Sequence, residues 1–257
     1  MNTGIRLDRL VVDRGLAPSR MRAVEAIEGA GIRVNGEVVH KASVRVAEDV
    51  ELVWVEEPWS YVGRGALKLL AACEEWPEFV WAGRRVLDVG ASTGGFTQVV
   101  LERGAARVFA VDTGREQLAE VLREDPRVVC REQTNVLDLG EEEVRAACGE
   151  RPDAAVVDVS FVSATHVLPA VGRLLEAGSE VWVLVKPQFE VGPQGLGRNG
   201  IVRDARLREA AVRRVESAAQ AAGWEGVAQM ESPVVGGDGN VEVWVRLRTP
   251  YPPAHER

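Results

Sequence analysis

From residue 85 onwards, short apolar runs alternate with longer segments in which apolar residues recur every three or four positions. The short runs predict strands, and the longer segments predict amphipathic helices. Strands are expected at residues 86–89, 108–111, 128–132, 154–159 and 181–185, with helices at 96–103, 116–124, 141–147 and 163–175 between them. Strands that are apolar along their whole length are typical of a parallel sheet with helices on both faces.

The C-terminal part of the chain adds one long helix and two further strands. The helix is predicted to begin after an N-cap at Asp204 and to end near residue 222, and the strands are expected at 227–230 and 241–247. The sequence therefore predicts an α/β fold built on a seven-stranded, Rossmann-like sheet.

Residues 1–55 have a different pattern and are predicted to form a small α+β domain. Leu7, Leu10 and Val11 have helical spacing, and Ser19 is a plausible N-cap for a second helix over residues 20–28. Asn35-Gly36 between two apolar pairs predicts a hairpin with a type I′ turn, followed by strands at 44–46 and 51–55. An acidic, proline-containing linker at 56–63 then leads to a second domain at 64–257.

Composition and charge narrow the classes of function. The 257-residue chain is 46% hydrophobic with a net charge of −8, which argues weakly against broad nonspecific binding of nucleic acids. The first 47 residues nevertheless carry eight basic and five acidic residues, so Arg6, Arg9, Arg20 and Arg22 could share a phosphate-binding surface or lie on ordinary solvated helix faces. Three scattered cysteines indicate neither a metal site nor a disulfide framework, and no run approaches the ~18 apolar residues of a membrane span, so a cytoplasmic protein is expected.

A glycine-rich turn follows the strand at 86–89 and leads directly into a helix. Bare backbone at a helix N-terminus lets a ligand approach closely, and Asp112, which ends the next strand, is well placed to bind ribose hydroxyls. The spacing of Asp88, Gly90 and Gly94 differs from the G-x-G-x-x-G of nicotinamide dehydrogenases because Ser92 replaces the middle glycine. It resembles the S-adenosylmethionine loop of class I methyltransferases, although a plain turn without a ligand stays an alternative.

Polar residues also follow several of the other predicted strands. Asn135, Asp158 and Lys186 lie at carboxyl ends, where ligands bind in open parallel sheets. Asn135 could contact an adenine ring or only cap a turn, while Asp158 and Lys186 could act on a substrate or form a structural ion pair. If the last strand is antiparallel to its neighbours, Glu242 returns to the same edge.

Lys68, Asp158, Lys186 and Glu242 match in order the Lys-Asp-Lys-Glu tetrad of FtsJ-type ribose 2′-O-methyltransferases. The N-terminal strings Arg6-Leu7-Asp8, Ser19-Arg20 and Val34-Asn35-Gly36 resemble the RNA-binding domain of ribosomal protein S-four. Residues 5–247 together resemble the TlyA (haemolysin A) family, most specifically in Asp88-Val89-Gly90-Ala91-Ser92-Thr93-Gly94-Gly95-Phe96, Asp158-Val159-Ser160-Phe161, Lys186-Pro187-Gln188-Phe189-Glu190 and Gly239-Asn240-x-Glu242. One departure is Gly63-Arg64-Gly65-Ala66, where the family usually has Ser-Arg-Gly-Gly.

The resemblance implies roles for individual residues. Lys186 would be the base that deprotonates a ribose hydroxyl, with Lys68 nearby favouring its neutral form and orienting the hydroxyl, and Asp158 and Glu242 holding the lysines. S-adenosylmethionine would be bound by Asp88, Gly90, Ser92, Thr93, Gly94, Gly95, Phe96, Asp112, Asn135 and Asp158. RNA would be bound by Arg6, Arg9, Ser19, Arg20, Arg22, Asn35, Lys41 and Arg64.

The expected activity is 2′-O-methylation of a cytidine in ribosomal RNA, with ribosomal RNA or ribosomal subunits as partner and neither metal nor membrane involved. An RNA-binding assembly factor with an inactive methyltransferase fold is the alternative, which the intact tetrad disfavours. A pore-forming haemolysin is disfavoured because the sequence has neither a membrane segment nor a signal peptide, and a nicotinamide oxidoreductase is disfavoured by the glycine spacing.

Overall fold

A computed structural model describes residues 4–17, 19–58 and 61–251. Within the predicted linker, Trp59 and Ser60 lie outside the described residues. The N-terminal elements are β1 (Ile5–Arg6), α1 (Leu7–Asp13), α2 (Arg20–Glu28), β2 (Ile32–Val34), β3 (Glu37–Val39), β4 (Arg45–Val46) and β5 (Leu52–Trp54). The remaining elements are α3 (Gly65–Glu75), β6 (Arg85–Val89), α4 (Gly95–Glu102), β7 (Arg107–Val111), α5 (Glu120–Arg123), β8 (Val128–Arg131), α6 (Glu141–Cys148), β9 (Ala154–Val157), α7 (Ala164–Leu174), β10 (Glu180–Val185), α8 (Pro187–Glu190), α9 (Ala205–Ala221), β11 (Glu225–Glu231) and β12 (Val243–Arg248).

The N-terminal elements enclose a small apolar core of their own. Leu7 from α1, Ile27 from α2 and Ile32 from β2 are fully buried and belong to one cluster. Strands β3, β2 and β5 form an antiparallel sheet in that order. The hairpin prediction is confirmed, because Asn35 and Gly36 both have positive φ (50° and 88°), as a type I′ turn requires.

The C-terminal elements form the predicted seven-stranded sheet. Its order is β11-β12-β10-β9-β6-β7-β8, and only β12 runs antiparallel, between β10 and β11. Successive residues of β6 point to opposite faces: Leu87 packs with α6, α7 and α9, whereas Val86 packs with α3 and α4. Both faces of the sheet are therefore covered, which explains why its strands are apolar throughout.

Several element boundaries differ from the prediction, and two of the differences have a clear physical reason. The helix predicted over 116–124 is only α5, because the Glu132 carboxylate accepts hydrogen bonds from the backbone N–H groups of Glu116, Gln117 and Leu118 and holds them in a turn. The last strand begins at Val243 and not at 241, since the preceding loop folds back on itself through a hydrogen bond from Gly236 N to Asn240 O.

Contacts also join the two parts of the chain. Arg64, which precedes α3, donates a hydrogen bond to the backbone oxygen of Arg14 (2.7 Å), and Arg22 in α2 forms an ion pair with Glu74 in α3 (3.0 Å). Within the described ranges, no helix is long and apolar enough to cross a bilayer.

Candidate active site

The turn between β6 and α4 depends on glycine at two positions. Gly90 has a φ of 84°, and a Cβ atom there would collide with the backbone oxygen of Asp158. A Cβ atom on Gly95 would lie 2.7 Å from the backbone nitrogen of Ala66, at the start of α3. Larger residues would therefore separate this turn from the neighbouring strand end and from α3.

A cavity of about 620 Å³ lies at the carboxyl ends of β6, β7 and β9. Its walls include the apolar side chains of Val111, Val136 and Leu137. Five predicted cofactor residues line it: Gly90, Ser92, Asp112, Asn135 and Asp158. An apolar wall, exposed backbone and a carboxylate suit the adenine, methionine and ribose parts of S-adenosylmethionine.

Asp112 and Asn135 shape this cavity as well as line it. Asp112 accepts hydrogen bonds from the backbone N–H groups of Ser92 (2.8 Å) and Gly114 (2.7 Å), which leaves other lone pairs of its carboxylate for ribose hydroxyls. Asn135 caps the turn that follows, accepting from Leu137 N at 3.1 Å, and also lines the cavity. Both interpretations of Asn135 are thus compatible with the structure.

The other five predicted cofactor residues do not line the cavity. Asp88 is fully buried, and its carboxylate accepts a hydrogen bond from the Thr97 hydroxyl (2.6 Å). Burial raises the pKa of Asp88 to about 7, although the hydrogen bond from Thr97 opposes the rise. Thr93, Gly94 and Gly95 form the turn, and Phe96 packs against Trp244 with ring centroids 5.4 Å apart. Asp88 and Phe96 are buried beside the turn, whereas Thr93 is exposed.

The four tetrad residues form two ion pairs. Lys68 Nζ lies 2.6 Å from Glu242 Oε2, and Lys186 Nζ lies 2.7 Å from Asp158 Oδ1. The side chains of both lysines are only 11% exposed. Burial raises the pKa of Glu242, and the ammonium of Lys68 opposes this effect.

A second cavity, of about 410 Å³, is lined by Lys68, Lys186 and Glu242, among other residues. Lys186, Ser160 and Phe161 line this cavity and the first one, so the two cavities are neighbours. Asp158 lines the first cavity and forms an ion pair with Lys186, which lines both cavities. A methyl donor in the larger cavity would therefore lie beside a hydroxyl group held between the two lysines.

Sequence reasoning missed three side chains at this site. Ser160 accepts a hydrogen bond from Lys186 Nζ at 2.7 Å. Phe161 is 92% exposed, has a φ of 63° and lies with its ring centroid 5.3 Å from that of Phe189. Ser160, Phe161 and the third missed residue, Glu190, all belong to strings that carry the family resemblance. Nothing in the sequence indicates, however, that Phe161 is exposed.

Glu190 is the third missed residue, and it joins the two loops that carry the Lys186–Asp158 pair. Its buried carboxylate accepts hydrogen bonds from the hydroxyl of Ser163 (2.6 Å) and from the backbone N–H of Ala164 (2.7 Å). Glu190 ends the short helix that follows Lys186, whereas Ser163 and Ala164 begin α7.

Among the predicted RNA-binding residues, Arg6 and Arg20 come together on one carboxylate. Both guanidinium groups contact Asp8, at 2.9 Å each. Exposed Lys41 is close in the fold, since its neighbour Ala42 accepts a backbone hydrogen bond from Asp8 N (3.0 Å).

The remaining predicted RNA contacts have other partners. Arg9 pairs with Asp13 (3.5 Å), and Arg22 pairs with Glu74, so these arginines do not join the pair on Asp8. Arg64 is held by the Arg14 backbone between the two parts of the chain. Ser19 caps α2 and Asn35 accepts from Glu51 N at 2.8 Å, so both have structural partners.

A seven-stranded sheet with one antiparallel strand, a glycine turn after β6 and an acidic residue directly after the neighbouring strand β7 together define a class I methyltransferase fold. The tetrad beside its cavity narrows the class to ribose methyltransferases of the FtsJ type. The FtsJ-like methyltransferase model matches residues 61–249, and the S4 domain model matches residues 5–52.

The chain belongs to the TlyA family of FtsJ-like methyltransferases. It is 45% identical over 245 residues to the 16S/23S rRNA (cytidine-2′-O)-methyltransferase TlyA of Mycobacterium tuberculosis, covering 95% of this chain and 90% of that protein. It is 31% identical over 250 residues to the 23S rRNA (cytidine-2′-O)-methyltransferase TlyA of Campylobacter jejuni, covering 90% and 94% of the two chains. The solved structure of a hemolysin-type protein from Streptococcus thermophilus superposes with a TM-score of 0.73 at 35% identity, covering 98% of this chain and 92% of that one.

Proposed function

We propose that this protein transfers a methyl group from S-adenosylmethionine to the 2′-hydroxyl of a cytidine in ribosomal RNA. The observation that carries the proposal is the convergence of the Lys68–Glu242 and Lys186–Asp158 ion pairs beside the larger cavity. The named activities of the Mycobacterium and Campylobacter relatives support the same substrate class. Ribosomal RNA or a ribosomal subunit is then the partner, and the cytoplasm is the place of action.

We further propose that residues 1–55 bind RNA, that 56–63 link the domains and that 64–257 catalyse the transfer. The S4-type fold and the arginine pair on Asp8 support the first assignment. The two cavities and the tetrad, all within the C-terminal part, support the last.

The cofactor would be held by the turn at Gly90 and Ser92, by Asp112 on its ribose and by the apolar wall of Val136 and Leu137. When bound, it supplies an electrophilic methyl group at a sulfonium centre. The protein must place a nucleophile in line with that methyl group and exclude water, which alone lowers the barrier by several kcal/mol.

The lysines prepare the nucleophile. Lys186 in its neutral form accepts the proton of the 2′-hydroxyl, and the oxygen attacks as that proton leaves. Asp158 and Ser160 fix the Lys186 nitrogen from two directions, at 2.7 Å each. Lys68, held by Glu242, donates a hydrogen bond to the hydroxyl oxygen and stabilises the negative charge that develops on it.

The test compares two substitutions in the intact chain. Lys186→Ala is expected to lower methyl transfer to ribosomal RNA by more than ~100-fold while S-adenosylmethionine binds as in the wild type, because general base catalysis is worth about 10²–10⁴ in rate. Asp112→Ala is the matched control and is expected to weaken cofactor binding itself. Labelled methyl transfer and calorimetric titration separate the two effects.

The same experiment addresses the alternative of an inactive assembly factor. Wild-type protein that binds both ribosomal RNA and S-adenosylmethionine but transfers no methyl group would favour that alternative. Near-wild-type turnover by Lys186→Ala would show instead that another group acts as the base.

A further inference from the structure

Asp8 is an acidic residue that pairs with two arginines, Arg6 and Arg20. Its side chain is 1% exposed, although it lies in the first turn of α1. Arg6 donates to both carboxylate oxygens (3.1 and 2.9 Å), and Arg20 donates from Nε to Oδ2 (2.9 Å). The backbone N–H of Arg9 donates to Oδ1 at 2.9 Å. The side chains of Arg6 and Arg20 and the backbone N–H of Arg9 are thus all held by one buried carboxylate.

The two guanidinium groups remain accessible on their outer sides. The side chains of Arg6 and Arg20 are 39% and 60% exposed, whereas the carboxylate beneath them is hidden. A guanidinium has five N–H donors, so Arg6 keeps three and Arg20 keeps four after bonding to Asp8. Two arginines with free donors on one carboxylate place two positive charges together, and phosphates are the anions that guanidinium groups bind well.

The charge state of Asp8 is consistent with this arrangement. Burial raises the pKa of Asp8, but the hydrogen bonds from Arg6 and Arg20 outweigh burial and bring the pKa below its ordinary value. The carboxylate is therefore ionised at neutral pH, and the three side chains carry a net charge of +1.

We propose that Asp8 is a positioning residue for RNA binding, which holds Arg6 and Arg20 as a prearranged pair of phosphate ligands. The proposal rests on the function proposed above. It predicts an effect of unexpected sign: neutralising an acidic residue should weaken the binding of a polyanion. Simple charge counting predicts the opposite, because removing a negative charge strengthens attraction to phosphate.

The expected loss of RNA affinity depends on how strongly Asp8 restricts the side chains of Arg6 and Arg20. Without the carboxylate, two long side chains become mobile and must be ordered when RNA binds. Ordering two such side chains weakens binding by about 10-fold, within a wide range. The lost negative charge offsets only part of this, since salt and solvent screen surface charges at physiological ionic strength.

The first experiment measures the affinity of the full chain for ribosomal RNA fragments at fixed salt. Asp8→Asn is expected to lower affinity about 10-fold and to leave S-adenosylmethionine binding unchanged. Asp13→Asn is the matched control: it removes the same charge from the same helix, but Asp13 pairs with Arg9 and not with Arg6 or Arg20. Its RNA affinity is expected to be unchanged or slightly higher.

A second experiment separates positioning from damage to the domain. In a chain that already carries Arg6→Ala and Arg20→Ala, Asp8→Asn is expected to cause no further loss of RNA affinity. The conservative change Arg20→Lys, at a side chain that is 60% exposed, is expected to lower RNA affinity several-fold. Arg213→Lys is the control, since Arg213 is 63% exposed and pairs with Glu209 on α9, and it is expected to have no effect.

Wild-type RNA affinity in both Asp8→Asn and Arg20→Lys would overturn the proposal, and so would an equal loss from Asp8→Asn with and without the two arginines. Failure of the proposed function looks different, because the wild-type chain would then transfer no methyl group to ribosomal RNA, whereas the present proposal is tested by RNA affinity alone.

Discussion

The hydrogen bonds of Glu190 make a prediction that links stability to catalysis. Its carboxylate joins the loop after Lys186 to the start of α7, just beyond the loop that carries Asp158. Replacing Glu190 with Ala removes both acceptors at once. We expect this substitution to destabilise the fold and also to slow methyl transfer by more than the loss of folded protein explains.

The magnitude can be worked from the contacts. A hydrogen bond to a charged group contributes about 1.5–3 kcal/mol, and two are lost. The Ser163 hydroxyl has an alternative partner in Thr165 Oγ1, 2.7 Å away, so mainly the N–H of Ala164 is left unpaired. A loss of about 2–4 kcal/mol in the free energy of unfolding follows. A shift of about 1 Å between the two loops would lower the rate roughly 100-fold.

The assay combines urea unfolding with single-turnover methyl transfer under conditions where all variants are folded. Glu190→Gln should retain most of both properties, because the amide oxygen can accept from Ala164 and the amide nitrogen can donate to Ser163. Glu209→Ala is a surface control, since Glu209 pairs with Arg213 at 3.4 Å and both side chains are mostly exposed. Its stability should change by less than about 0.5 kcal/mol.

Two results would refute this reasoning. An unfolding free energy of Glu190→Ala within about 0.5 kcal/mol of wild type would mean that water replaces the carboxylate without cost. A destabilised variant whose folded molecules turn over at the wild-type rate would show that Glu190 supports the fold but does not position the catalytic pair.

Two further predictions concern pH and the substrate. Because burial raises the pKa of Asp88 from 3.8 to about 7, the native state keeps a proton that the unfolded chain releases, so the contribution of Asp88 to stability should fall by about 3 kcal/mol as pH rises from 4 to 7. The stability of Asp88→Asn should not show this fall. The prediction would be contradicted if the free energies of unfolding of the two proteins, measured with urea, changed with pH by the same amount. Phe161→Ala should raise the KM for ribosomal RNA by roughly 5- to 100-fold, as expected if a base stacks on the exposed ring, with an unchanged melting temperature. An unaltered KM would exclude that contact.

Local patterns in the sequence determined most of the architecture. The apolar runs fixed the order of strands and helices, Ser19 and Asp204 act as the N-caps expected of them, and Asn35-Gly36 forms its turn. Such features depend on neighbouring residues alone, which is why they can be predicted from one sequence. The helix expected over 116–124 failed for the converse reason: Glu132, distant in sequence, captures the backbone N–H groups that the helix would have used.

For the site, the sequence by itself determined which residues are candidates, because a charged residue that follows an apolar strand is costly unless it is used or paired. Only the tertiary structure decided the pairing of Lys68 with Glu242, residues that lie far apart in the chain and meet because β12 runs antiparallel to its neighbours. It also decided that Asp88 is buried and accepts a hydrogen bond from Thr97, that Phe161 is exposed and that Arg6 and Arg20 share one buried carboxylate. Burial and partner choice depend on which distant segments pack together, and no local pattern specifies them.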